Sequence, residues 1–220
     1  MKGSLVAIVT PMLANGEIDF NSFKKLLSFH ENEETNGIVL VGTTGESATL
    51  NKHERGEIFS FAKGESNLPL IAGVGSSSTN DAIDFIDIAQ KSGINDCLAV
   101  TPYYNKPSQK GLFLHFNELS KTSANIILYN VPGRTGVDLC PSTTEELSDI
   151  PNITGIKEAV DSSKRFEALK KIKSQRKDFL LYSGDDPTFV EFMRYGGDGV
   201  ISVAANVMPK QIRKLSDLCF

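Results

Sequence analysis

Lys157 carries the clearest chemical meaning in this 220-residue sequence. It follows Ile153-Thr154-Gly155-Ile156, an apolar run of the kind that forms a strand covered on both faces. An ammonium there is costly to desolvate, and desolvation lowers a lysine pKa toward the range where the free amine is a nucleophile. The alternative is a lysine that ends the strand, snorkels to solvent and pairs with Glu158. Tyr129 ends the preceding apolar run. Its hydroxyl both donates and accepts, which suits proton relay between a carbinolamine, an imine and an enamine. Without Lys157 it would read as a core-edge tyrosine bonded to the backbone. Thr43-Thr44 lie in a glycine-flanked turn whose hydroxyls and N–H groups can hold a carboxylate or order a tyrosine hydroxyl; an ST-turn that satisfies its own backbone is the bland reading. Arg134, in a Pro-Gly loop, has the planar fork that suits a carboxylate, although a lone loop arginine is commonly just solvated. Joined on one face, these residues indicate Schiff-base chemistry on a small oxo-acid.

Other candidates are weaker. Asp185-Asp186 are adjacent acids with no nearby histidine, a poor metal set, and Asp186 followed by Pro187 reads as a helix N-cap with proline at N1. His30, His53 and His115 fall in helical segments, so none reads as a catalytic base. Cys97, at a strand start with no histidine partner motif, reads as an inert buried thiol.

Placing these residues requires a scaffold. Eight short β-rich runs span 5–9, 38–41, 70–74, 97–100, 126–129, 153–156, 179–182 and 200–203, most without clean alternation. Helical stripes lie between them: Phe23, Leu26, Leu27 and His30; Ala82, Phe85, Ile86 and Ala89; Phe166, Leu169 and Ile172. Asn51-x-x-Glu54 and Ser142-x-x-Glu145 resemble capping boxes, and Gly37 and Gly93 read as helix stops. Eightfold strand–helix alternation predicts an α/β fold, a (β/α)₈ TIM barrel forming a single domain over 1–220. A doubly wound sheet is weakened because no strand is followed by GxGxxG or GxxxxGK[ST]. In such a barrel the strand C-termini form the active face, which is where the candidate residues fall. The eighth helix is expected from Pro209, with Ile212, Leu215 and Cys219 as its stripe; with no C-cap glycine before Phe220, the sequence looks cut there.

Composition excludes several classes. Lys+Arg total 23 against 27 Asp+Glu, a net charge of −4, which gives no footprint for nucleic acid or an anionic membrane. Three scattered cysteines match neither a disulfide framework nor a metal spacing. The apolar start is too short for a signal peptide and no run approaches a membrane span, so a cytoplasmic protein is expected.

Seven segments in order resemble the dihydrodipicolinate synthase family of the pyruvate-dependent aldolase/lyase superfamily: AIVTPM at 7–12, GTTGES at 42–47, VTPYYNKPSQ at 100–109, YNVPGRTG at 129–136, GIKEA at 155–159, YSGDD at 182–186 and GGDGVISVAANVMP at 196–209. The resemblance implies condensation of pyruvate with L-aspartate-4-semialdehyde to 4-hydroxy-tetrahydrodipicolinate, the first committed step of lysine and diaminopimelate biosynthesis. It implies that Lys157 forms the Schiff base and Tyr129 shuttles protons, with Thr43 linking Tyr129 to Tyr104 of a neighbouring subunit. Thr44 would bind the pyruvate carboxylate and Arg134 that of the semialdehyde, and the backbone at Gly184 and Ile201 would complete the pocket. It implies no metal or organic cofactor, and a homodimer or homotetramer.

The family continues into C-terminal helices that this sequence does not include, which leaves an inert truncated paralogue as one alternative. A sibling aldolase acting on N-acetylneuraminate or 2-keto-3-deoxy sugar acids is another, disfavoured by Arg134 and the doubled threonine. At the family's lysine-feedback site, Ser47, Ala48, Asp81 and Tyr103 are retained. Lys52, Arg55 and Ser77 stand where sensitive relatives often carry His, His and Asn. Added positive charge, at about 1 kcal/mol per exposed pair, is expected to weaken inhibition by lysine.

Overall fold

The computed structural model describes all 220 residues. In chain order the elements are β1 (Gly3–Ala7), α1 (Phe20–Asn32), β2 (Gly37–Leu40), α2 (Lys52–Glu65), β3 (Leu70–Gly73), α3 (Thr79–Lys91), β4 (Asp96–Val100) and α4 (Gln109–Leu119). They continue with β5 (Asn125–Asn130), the single turn α5 (Pro132–Thr135), α6 (Pro141–Ser148), β6 (Ile153–Glu158), α7 (Ser163–Gln175), β7 (Leu180–Ser183), α8 (Phe189–Arg194), β8 (Gly199–Ser202) and α9 (Pro209–Asp217). All eight strands are parallel and β1 pairs with β8, so the sheet closes as the expected barrel. Each expected run contributes a strand, its ends shifted by at most three residues.

Closure sorts apolar side chains into two layers. Inward residues, among them Leu5, Val39, Leu98, Ile127, Tyr129, Tyr182 and Ile201, pack on one another inside the barrel. Outward residues meet the helices: the Ala82, Phe85, Ile86 and Ala89 stripe is buried as expected, as are Phe166, Leu169 and Ile172. Leu26 is only half-buried beside Phe23 and Leu27.

Start and stop signals hold in part. Asn51 accepts from the Glu54 N–H and the Glu54 carboxylate accepts from the Asn51 N–H, the predicted box. Ser142 is exposed inside α6 instead, because Pro141 occupies the first helical position and Cys140 precedes it. Gly93 takes φ +79 after α3. Gly37 is already in β2, and Glu34 takes the left-handed position after α1. On α9 the buried residues are Pro209 and Ser216; Ile212 packs on the core half-buried, whereas Leu215 is exposed. Cys97, Cys140 and Cys219 are free, and burial pushes the Cys97 thiol up to about 12. No helix is long and apolar enough to cross a membrane.

Candidate active site

β5 and β6 set the centre of the site. Their pairing runs Ile126 with Ile153 and then Ile127 with Gly155, so β6 carries one extra residue at Thr154. Such a bulge reverses the side-chain alternation beyond it. Ile153 and Ile156 therefore both face the helices, and Lys157 turns inward directly opposite Tyr129. The Lys157 Nζ lies 4.2 Å from the centroid of the Tyr129 ring. Glu158, the next residue, points to the opposite face, so the pairing of Lys157 with Glu158 does not occur.

Both facing groups are buried, Lys157 at 5% and Tyr129 at 7% exposure. Desolvation lowers the Lys157 pKa to about 8; the Asp186 charge opposes that fall and the Arg134 charge adds to it. Burial raises the Tyr129 pKa, while Arg134 and a hydrogen bond with Thr43 pull it back. An amine that sheds its proton near pH 8 is poised to attack a carbonyl carbon.

Lys157 and Tyr129 line a cavity of about 310 Å³ at the C-terminal ends of the strands, together with Thr43, Thr44, Arg134 and Gly184. Arg134 sits on the single turn α5 rather than in an open loop. Gly184 is close-fitting: a Cβ there would stand 3.0 Å from the Lys157 Cε. Ile201 is 1% exposed in the inner packed layer, and Val203 lines the cavity from that side instead. The threonine turn carries strain, since Val41 before it takes φ +52, a region β-branched residues rarely adopt. A Cβ on Gly73 would come within 2.1 Å of the Val41 carbonyl, so glycine is needed there.

A second cavity of about 710 Å³ adjoins the first through Thr43, Val131 and Arg134, and is lined also by Ser47, Ala48, Tyr103 and Tyr104. Tyr104 is 93% exposed with φ +74, projecting from the rim. Ser77 offers its carbonyl to the Asn105 amide, 3.1 Å away. The positive charges expected beside this region are not free. Lys52 pairs with Asp84 at 2.6 Å and Asp81 at 3.5 Å. Arg55 is buried, donating to the carbonyls of Ser47, Gly73 and Leu50 with its guanidinium 3.9 Å over the Phe85 ring. Of the two added charges, Lys52 is thus balanced by acids, whereas Arg55 keeps its charge among neutral carbonyls.

Two features escaped sequence reasoning. Asp186 does not cap α8, whose N-cap is Thr188; its Oδ2 accepts from the N–H groups of Val203 at 3.0 Å and Ala204 at 2.9 Å. Behind the catalytic face, Asn130 donates to Glu158 at 3.0 Å, and Arg165 lies 3.7 Å from the same carboxylate. Burial raises the Glu158 pKa to about 7, against the pull of Arg165. His30 and His115 are buried, lowered by burial to about 4, and bonded to Thr35 and Thr79; His53 is exposed beside Glu57.

Fold and site together define a (β/α)₈ barrel with a buried lysine amine in a cavity at the C-terminal ends of its strands. The Dihydrodipicolinate synthetase family profile matches residues 1–220, and the chain belongs to that family. It is 52% identical over 99% of its length to a 4-hydroxy-tetrahydrodipicolinate synthase of Stutzerimonas stutzeri, covering 74% of that protein. Among solved structures it resembles the chloride-inhibited dihydrodipicolinate synthase of Acinetobacter baumannii complexed with pyruvate (TM-score 0.95, 44% identity, 99% of this chain and 75% of that one). It also resembles a monomeric dihydrodipicolinate synthase variant (TM-score 0.95, 40% identity, 99% and 74%).

Proposed function

We propose that the chain is a 4-hydroxy-tetrahydrodipicolinate synthase, condensing pyruvate with L-aspartate-4-semialdehyde at the first committed step of lysine and diaminopimelate biosynthesis. The observation that carries this reading is the buried Lys157 amine, held opposite Tyr129 in a cavity that also contains Arg134. The Lys157 nitrogen adds to the C2 carbonyl of pyruvate, and Tyr129 transfers protons as the carbinolamine loses water to the iminium. The Thr44 turn takes the pyruvate carboxylate. Loss of a C3 proton gives the enamine, whose carbon attacks the aldehyde of the second substrate while Arg134 holds its carboxylate. The substrate amine then closes the ring on C2 and displaces Lys157 as the free amine. The lysine iminium is itself the electron sink, so this reading calls for no metal or organic cofactor.

Tyr104 reaches a neighbouring copy in this reading, extending the relay Tyr129–Thr43 in a homodimer or homotetramer. Its exposure and left-handed backbone at the cavity rim support that role. A cytoplasmic location fits an enzyme of amino-acid biosynthesis. Borohydride trapping with pyruvate followed by peptide mass spectrometry tests the reading: a pyruvate-derived adduct on Lys157 is expected, and none in a folded chain overturns it.

A further inference from the structure

Lys157 is a buried cation whose surroundings are mostly neutral or positive. Tyr129 faces it from β5, Arg134 from α5, and the hydroxyls of Thr43 and Thr44 line the cavity from the turn after β2. The only carboxylates lining that cavity are Asp185 and Asp186, in the turn after β7. Asp185 is engaged elsewhere, its Oδ2 accepting from the Thr188 N–H at 3.2 Å and hydroxyl at 2.7 Å. Asp186 is different. Its Oδ2 is fixed by the N–H groups of Val203 and Ala204, whereas its Oδ1 is buried with no hydrogen-bond partner. A carboxylate gripped on one oxygen and bare on the other has little freedom to turn away, and its charge is directed into a poorly screened interior.

We propose that Asp186 is the counter-charge of the Lys157 nitrogen, a positioning residue that stabilises the cation there first as ammonium and then as iminium. The inference rests on the Schiff-base reading above. When the amine adds to the keto carbon and the oxygen leaves as water with one proton taken up, the nitrogen keeps a full positive charge. Arg134, required for substrate carboxylates, disfavours that charge, and Asp186 offsets it. The opposite signs of the two influences on the Lys157 pKa agree with this division.

The test compares pyruvate trapping by borohydride in the unmodified chain, Asp186→Asn and Asp186→Glu across the Lys157 titration near pH 8. Asparagine keeps an oxygen for the two N–H groups and loses the charge; Asp186→Ser, which also keeps an oxygen, replaces it should the asparagine variant not melt cooperatively. In the neutral variant the midpoint of the pH profile moves down by about one unit and half-saturation by pyruvate rises about tenfold, one pKa unit being a factor of ten. Glutamate restores both toward the unmodified values. A folded neutral variant with unchanged midpoint and half-saturation overturns the counter-charge while leaving the Schiff base intact. Absence of any adduct in the unmodified chain overturns both.

Discussion

Lys157 and Tyr129 occupy directly paired positions on adjacent strands, with the amine 4.2 Å from the centre of the phenol ring. The ring face offers a weak cation–π contact, so the ammonium is tolerated without being strongly held. Replacing Tyr129 by Phe keeps that contact and removes only the hydroxyl. Adduct formation with pyruvate should persist, while turnover falls about 10²- to 10⁴-fold, the usual contribution of a positioned proton carrier. Trapping and steady-state rates on the same preparation check this; an undiminished turnover would remove Tyr129 from the relay.

Burial of the Lys157 charge should weigh against stability. The folded pKa, about 8, lies below the ordinary 10.5, so the penalty is full below pH 8 and is relieved as pH rises toward 10.5. At about 1.4 kcal/mol per unit this amounts to roughly 3 kcal/mol. Lys157→Met should therefore raise the unfolding free energy at pH 7 by up to that amount, with a smaller advantage at pH 10. Denaturant titrations at the two pH values measure it, and the same variant should form no adduct.

Thr154 is the extra, unpaired residue of β6, between Ile153 and Gly155. Deleting it restores simple alternation and leaves every pairing in place, with Ile153 and Ile156 outward, Gly155 opposite Ile127 and Lys157 still inward opposite Tyr129. The deletion variant should therefore still trap pyruvate on Lys157, as should Thr154→Ala, which keeps the residue count. A folded deletion variant that no longer labels at Lys157 would overturn this register.

Glu158 has the opposite pH signature to an ion-paired acid. Its folded pKa, raised to about 7 by burial, exceeds the ordinary 4.5, so stability is lost as pH rises from 4.5 through 7 and the full cost applies above. Glu158→Gln keeps an amide oxygen for the Val160 N–H, which now bonds Oε1 at 3.0 Å. The variant should be no less stable at pH 8 and show a flatter stability profile between pH 4.5 and 7. Thermal melts across that window decide it.

Arg55 joins three carbonyls from the turn after β2, the end of β3 and Leu50 just before α2. Truncation to Ala leaves those buried acceptors short of donors and removes the packing on Phe85. A loss of about 2–4 kcal/mol is expected, without a change in the pH profile of trapping. Chemical denaturation of the variant gives the number.

The barrel was legible because its evidence is repetitive: eight apolar runs, and stripes such as Ala82, Phe85, Ile86 and Ala89, each state the same alternation. The site was legible as residue types at strand ends, so Lys157, Tyr129, Thr43, Thr44 and Arg134 were found and do share one cavity. What sequence could not express was the geometry between neighbours. The Thr154 bulge leaves no mark in composition, and a lysine next to a glutamate reads as an ion pair until the pleat separates them. Asp186 before Pro187 has every local mark of an N-cap, yet its carboxylate reaches the N–H groups at Val203 and Ala204, contacts that exist only after closure. Lys52 is not a free charge for the same reason: its partners, Asp81 and Asp84, come from α3, not from nearby sequence.

The seam between β1 and β8 joins Gly3 to Gly199, across nearly the whole chain. A nascent chain on the ribosome holds β1 long before its second neighbour exists, leaving that strand's amides and carbonyls unpaired along one side of a growing, curved ribbon. Local helix–strand units assemble early, and the last hydrogen-bonded ladder must wait for residues near 200 to emerge. Lys157, Asp186 and Val203 line one cavity, and the Val203 N–H bonds Asp186 from beyond β8, so that cavity is complete only once this last ladder has formed.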